Sequence, residues 1–173
     1  NQCLADQRIE SQAYVVLVAG SAHDDKCWPA PHYTELIERI HTRFSLPVIA
    51  VGSNAERPGI QQIVDSSKGP VVNLAGRTTL KELVALLRQA RLVISNDTGP
   101  GHLGAALGVP LVMMFSWSNP ARIYPYGRPE CMVAIDPFTR GSRIKSRDPR
   151  HNIRNISVDA VFEKVCEQLQ STD

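Results

Sequence analysis

Three short segments carry side chains whose types and spacing suit a charged, hydroxyl-rich ligand. The first, Ser95-Asn96-Asp97-Thr98-Gly99-Pro100-Gly101-His102, ends a buried apolar run and opens a helix. Pro100 suits the N1 position, where the missing amide hydrogen costs nothing. The amides around Thr98 and Gly99 then face outward at a positive helix end, a ready anion site, and Thr98 adds a hydroxyl donor. Asp97, at a strand's carboxyl end, is placed to accept hydrogen bonds from a polyol; a plain N-cap is its alternative reading. His102, on the first helical turn, either faces the ligand or packs against the fold. The second segment runs from Gly20 and Ser21 to Lys26 and Trp28. Gly20 and Ser21 allow close backbone approach, the Lys26 ammonium reaches toward a crevice unless it is solvated, and Trp28 can pin the loop. The third, Gly52-Ser53-Asn54-Ala55-Glu56, holds a carboxylate that can take both hydroxyls of a ribose or else face solvent.

Two other chemistries are disfavoured. Gly99, Gly101 and Gly104 make a literal G-x-G-x-x-G, but the dinucleotide fingerprint belongs after the first strand, with an acidic residue ending the next one. Here the motif follows the fourth strand, and the next strand runs into Phe115-Ser-Trp-Ser-Asn119 with no carboxylate. No metal site is expected, since the five histidines and four cysteines show no ligand spacing. No cofactor is expected either. Cys3, Cys27, Cys131 and Cys166 read as reduced thiols, with Cys166 in a core.

The elements that must position these segments follow from hydropathy. Tyr14–Ala19, Pro47–Val51, Val71–Leu74, Leu92–Ser95 and Leu111–Phe115 are continuous apolar runs, as strands covered on both faces require. Cys131–Ile135 is a candidate sixth. Helical spacing recurs at Tyr33–Phe44, at Ile60–Val64, after the capping box Thr79-Leu-Lys-Glu82, and over about Gly101–Leu107. Ser157 caps a final helix, 157–170. Strand and helix alternating in this way predict an α/β fold, a Rossmann-like doubly wound parallel sheet. Such sheets bind ligands beyond the carboxyl ends of their strands, where all three segments lie.

With 173 residues, 43% hydrophobic and 21% charged, the chain suits one domain, 13–173, preceded by a polar linker over residues 1–12. That opening suggests a piece of something longer. A net charge of +2 gives no case for nucleic acid, and no run is apolar enough to span a bilayer, so a soluble chain is expected. One stretch is unbalanced: 137–156 carries Arg140, Arg143, Lys145, Arg147, Arg150 and Arg154 against Asp148 alone, and reads as a long basic loop. It is either a solvated surface or an anion-facing loop for a phosphorylated partner or an acidic membrane.

The stretch Leu74-Ala-Gly-Arg-Thr, then Asn96-Asp-Thr-Gly-Pro-Gly-His-Leu-Gly-Ala-Ala-Leu-Gly-Val-Pro110, Asn119-Pro-Ala-Arg122 and Pro125-Tyr-Gly127 resembles the bacterial lipopolysaccharide core heptosyltransferases of glycosyltransferase family 9. Asp24-Asp-Lys26-Cys-Trp28-Pro also looks like the family's donor loop, and the resemblance covers about residues 14–170. It implies the carboxyl-terminal, donor-binding half of a two-domain GT-B enzyme, an inverting transferase moving heptose from ADP-heptose to the lipopolysaccharide inner core. It further implies that Ser21 to Lys26 contact pyrophosphate, Glu56 holds the ribose, Asp97 meets the sugar, and Thr98 and Gly99 take phosphate. Lys26 would stabilise the leaving group. The catalytic base would belong to the amino-terminal domain, so this chain alone would bind donor without transferring sugar. The implied partners are an ADP-sugar, the lipopolysaccharide core acceptor at the inner membrane and that amino-terminal domain. The implied location is cytoplasmic, extending to peripheral contact with the inner membrane. The family usually has F-G-P-T-D-P where this chain has Phe115-Ser-Trp-Ser-Asn-Pro120, which leaves open a UDP- or GDP-sugar donor. A non-catalytic nucleotide-sugar-binding module is the other alternative.

Overall fold

A computed structural model describes residues 12–20 and 26–170. The expected linker therefore lies outside the described residues except for Gln12, and Ser21 and Cys3 lie outside them too. The apolar runs form β1 (Val15–Val18), β2 (Val48–Val51), β3 (Val71–Asn73), β4 (Leu92–Asn96), β5 (Leu111–Met114) and β6 (Met132–Val133). Between and after them lie α1 (Ala30–Phe44), α2 (Arg57–Ser66), α3 (Leu80–Arg88), α4 (Gly99–Ala106), the one-turn α5 (Pro120–Ile123) and α6 (Val158–Gln170).

The strands pair in parallel in the order β3-β2-β1-β4-β5-β6. Alternating side chains divide the core between two faces. Val15 and Leu17 pack with Leu36 of α1, Ile60 of α2 and Val161 and Val165 of α6. Val16 and Val18 pack with Leu86 and Leu87 of α3, beside Val109, Met113 and Phe115. This is the doubly wound arrangement that the alternation of strands and helices predicts. The strand order reverses between β1 and β4, so a crevice opens there. Register aligns its walls: Val18 lies opposite both Val51 and Ser95. The three candidate loops leave the sheet side by side.

Local signals explain most boundaries. The capping box at Thr79 is present, with Glu82 N–H donating to Thr79 Oγ1 at 3.3 Å and Thr79 N–H donating to Glu82 Oε2 at 2.8 Å. Ser157 Oγ accepts from Ala160 N–H at 3.2 Å and caps α6. Helix α4 starts two residues earlier than expected, at Gly99, so Pro100 occupies N2 rather than N1. Its missing donor is equally harmless there, because the first four amides of a helix have no intrahelical partner. Strand β6 keeps only Met132–Val133 of the expected Cys131–Ile135. Cys131 belongs to a 3₁₀ turn, and the Ile135 carbonyl is taken by Arg140. Among the described residues Cys131, not Cys166, is the fully buried cysteine, and burial pushes its thiol up to about 11.

Residues 137–156 form a long loop with short 3₁₀ turns at Pro149–His151 and Ile153–Asn155, but the loop is not a uniformly solvated surface. Ile153 and Ile156 are buried in the core. Arg140 folds inward and donates to the carbonyls of Ile135 (2.9 Å), Ser116 (2.5 Å) and Ser118 (2.8 Å).

Candidate functional site

The crevice is held by an aromatic network beneath it. At the end of β4, Asn96 is fully buried; its Oδ1 accepts from the Tyr33 hydroxyl at 2.9 Å, and its Nδ2 donates to the Ala19 carbonyl at 3.2 Å. Both ends of this side chain are satisfied, so the ends of β1 and β4 are fixed against each other. Burial pushes the Tyr33 phenol far above its ordinary value, which keeps it a donor. Trp28 packs edge-on to Tyr33, with ring centroids 5.2 Å apart, and donates its indole N–H to the Ile156 carbonyl at 2.9 Å. The loop carrying Lys26 is thereby pinned by Trp28, as the sequence predicts.

Asp97 stands on this platform. Lys26 Nζ lies 3.1 Å from its Oδ2, and His102 Nε2 lies 3.3 Å from its Oδ1. The Ser118 side chain also favours the ionised carboxylate. Burial on its own would raise the Asp97 carboxyl; Ser118, the Lys26 charge and His102 outweigh it and hold the group below the usual carboxylate range. The plain N-cap reading is excluded, since Thr98 occupies the N-cap of α4. Thr98 makes no side-chain bond to the helix; its hydroxyl meets Ser95 Oγ at 3.1 Å. No side chain caps the amides opening α4, and they face the crevice as donors. Gly101 lets this helix sit close: a Cβ there would fall 2.7 Å from Ser95 Oγ and 2.9 Å from Met113 Cε. That is a packing role for one member of the G-x-G-x-x-G spacing, while a Cβ at Gly99 would meet nothing within 4 Å.

Glu56, at the start of α2, turns back over the sheet. Its Oε2 accepts from Ser53 N–H at 2.5 Å. Its Oε1 lies 2.2 Å from where a Cβ on Gly20 would stand, so the carboxylate rests directly on the Gly20 backbone. A glycine is required there by close approach rather than by an unusual φ.

These groups share one cleft of about 470 Å³, lined by Gly20, Lys26, Glu56, Asp97, Thr98 and Gly99 among others. His102 is not in its lining; it reaches Asp97 from the side. Reading loops one at a time misses two contributions. Val51, Thr78, Leu80 and Leu83 also line the cleft. Their signal was present as the helix cap at Thr79 beside a strand end. Ser118 is the other, a small hydroxyl in the Phe115–Pro120 segment that departs from the family pattern. Among the described residues no cluster of three His, Cys, Asp or Glu side chains could hold a metal ion.

A cation and helix-end amides opposite carboxylates, at the switch point of a Rossmann-like sheet, define an α/β domain of the kind that makes up GT-B glycosyltransferases. The chain belongs to glycosyltransferase family 9 (heptosyltransferase), whose family model matches residues 1–149. It is 31% identical over 134 residues to the lipopolysaccharide core heptosyltransferase OpsX of Haemophilus influenzae, covering 76% of this chain and 38% of that protein. Its fold matches a glycosyl transferase family 9 structure from Veillonella parvula with a TM-score of 0.81 at 20% identity, over 98% of this chain and 50% of that one. It matches E. coli ADP-heptose lps heptosyltransferase II with a TM-score of 0.76 at 21% identity, over 99% and 51%. The chain thus spans about half of those structures and less of the Haemophilus relative. No helix among the described residues is long and apolar enough to cross a membrane.

Proposed function

We propose that this chain is the carboxyl-terminal, donor-binding domain of an inverting heptosyltransferase that acts on the lipopolysaccharide inner core. The observation that carries the reading is the convergence of Lys26, the α4 amide end, Glu56 and Asp97 on one cleft. A nucleoside diphosphate sugar needs each of these: a cation and amides for pyrophosphate, one carboxylate for the ribose and another for the sugar. Leu80 and Leu83, which also line the cleft, offer an apolar wall to a base. ADP-heptose is the donor that family membership favours, and the E. coli structural relative is described as an ADP-heptose enzyme.

In the reaction an acceptor hydroxyl attacks the anomeric carbon while the bond from that carbon to the β-phosphate oxygen breaks. The electron pair leaves with ADP, and the acceptor proton goes to a base outside this chain, in an amino-terminal domain joined through residues 1–12. Lys26 and the amides at Thr98–Gly99 oppose the growing phosphate charge. Losing one such preorganised donor typically costs ~2.7–4 kcal/mol of transition-state stabilisation. Before donor arrives Lys26 is paired with Asp97, so phosphate must draw the ammonium away from the carboxylate. Alone, the chain binds donor and does not transfer sugar. A cytoplasmic enzyme touching the inner membrane from its inner face suits an acceptor that is itself an anionic membrane lipid.

No residue of the unusual Phe115–Pro120 segment lines the cleft; the segment acts on it through Ser118 and Asp97, the carboxylate assigned to the sugar. That favours a change in sugar contacts over a change of base. Calorimetric titration with ADP, UDP, GDP and NAD tests the reading. Saturable ADP binding that is lost in Glu56→Ala is expected; preference for UDP or GDP would overturn the ADP assignment and keep the cleft. Binding of NAD alone would overturn the nucleotide-sugar reading.

A further inference from the structure

The basic loop holds six cations; Arg154 lines a separate cavity beside Trp28, and the structure divides the other five. Arg140 is spent on three backbone carbonyls, and Arg150 pairs with Asp148 and Asp136. Arg143, Lys145 and Arg147 are exposed and make no ion pair with a described residue. Two large apolar side chains sit among them, Phe138 at 66% exposure and Ile144 at 62%. The segment is not loose. Asn119 N–H donates to the Ile144 carbonyl at 2.7 Å, and its Nδ2 donates to the carbonyls of Gly141 (2.9 Å) and Arg143 (2.8 Å). Ser146 N–H donates to the Trp117 carbonyl at 2.7 Å, and Ser118 bridges to Lys145.

A soluble phosphate would engage the three cations but has no use for Phe138 and Ile144. A bilayer surface takes both, with cations at the headgroups and apolar side chains at the acyl boundary. We propose that residues 138–147 dock this chain on an anionic phospholipid surface. The docking deepens the reading of the acceptor as a membrane lipid and rests on it. Ser118 touches both this strap and Asp97, so docking brings the sugar end of the cleft toward the lipid.

The test is co-sedimentation of the chain with vesicles of phosphatidylcholine alone or mixed with phosphatidylglycerol, with ADP titration in parallel. Binding to the mixed vesicles only is expected. Each cation at an anionic surface is worth a factor of about five, so Arg143→Gln/Lys145→Gln/Arg147→Gln should weaken partitioning by about 100-fold. Phe138→Ser/Ile144→Ser should weaken it by about tenfold or more. Both variants should keep ADP affinity and thermal midpoint, which shows that they are folded. Wild-type chain that ignores phosphatidylglycerol, or a triple variant that binds undiminished, would overturn the proposal. So would an undiminished serine variant that inorganic phosphate strips from the vesicles, which marks a phosphate site and no membrane dock. Vesicle binding without ADP binding would leave the dock standing and refute the donor cleft.

Discussion

Gly20→Ala probes the ribose assignment more sharply than removal of Glu56. The added Cβ would stand 2.2 Å from Glu56 Oε1 and 2.3 Å from its Cδ, whereas ordinary contact begins at 3.4 Å. The carboxylate must therefore retreat by about 1 Å, which ends its 2.5 Å bond from Ser53 N–H and moves it off the position offered to the ribose hydroxyls. Hydrogen bonds to a charged group are worth about 1.5–3 kcal/mol each, so ADP affinity should fall about 10- to 100-fold. The fold should survive: Gly20 is not in the left-handed region, and the obstructing atom is the end of a flexible side chain. Calorimetry gives the affinity and a thermal melt confirms folding. In a double-mutant cycle, Gly20→Ala should add almost nothing to Glu56→Ala, because the atom that it displaces is already gone. A folded Gly20→Ala chain with wild-type ADP affinity, or strict additivity with Glu56→Ala, would refute the geometry on which the ribose role rests.

Other predictions concern the Asp97 cluster and the strap. In the intact enzyme Lys26→Ala should lower kcat about 100- to 1000-fold, the loss expected for one preorganised donor; an unchanged kcat removes Lys26 from the mechanism. Asp97→Asn frees Lys26 from its ion pair, so ADP without sugar should bind a few-fold tighter, by about 1 kcal/mol at most, while the ADP-sugar loses its advantage over ADP. The Asp97 carboxyl is held below its ordinary value in the folded chain, so it adds stability above the unfolded value of 3.8 and loses it as pH falls further. Denaturant midpoints of wild type and Asp97→Asn, measured from pH 7 downward, should therefore converge only in that acid range. Arg140→Ala leaves three carbonyls unserved and should cost about 2–4 kcal/mol, read as a lower denaturation midpoint. ADP affinity should withstand EDTA, since Lys26 and helix amides supply the positive charge; loss of binding would call for a cation.

What could be read from the chain depended on range. Strands such as Val15–Val18 and Leu111–Met114 announce themselves because burial on both faces requires unbroken apolar runs, and Thr79 with Glu82 marks a helix start over three residues. That Lys26 and Asp97 line one crevice follows from their places after strands. Their 3.1 Å contact does not, since it depends on the strand order that sets β1 beside β4. The altered Phe115–Pro120 segment stands out in the sequence, but which of its residues matters is not legible until Ser118 is found next to the Asp97 carboxylate. In the sequence Arg140 is one more cation of a basic loop, solvated or anion-facing, yet three carbonyls from two loops converge on it. Composition cannot tell an arginine that holds loops together from one that faces solvent.

The pairing of β1 with β4 also sets when the cleft can exist. Lys26 and Asp97 are 71 residues apart, Tyr33 and Asn96 are 63 apart, and the Tyr14 hydroxyl reaches the Leu86 carbonyl across 72. A ribosome must release the chain past Asp97 before the Lys26 and Tyr33 contacts can both form, and closing such long loops is slow relative to local helix formation. The first half of the sheet, β1 to β3, waits with the apolar edge of β1 uncovered until β4 arrives. During synthesis this domain therefore passes through an aggregation-prone interval whose length is the translation time of residues 74–96.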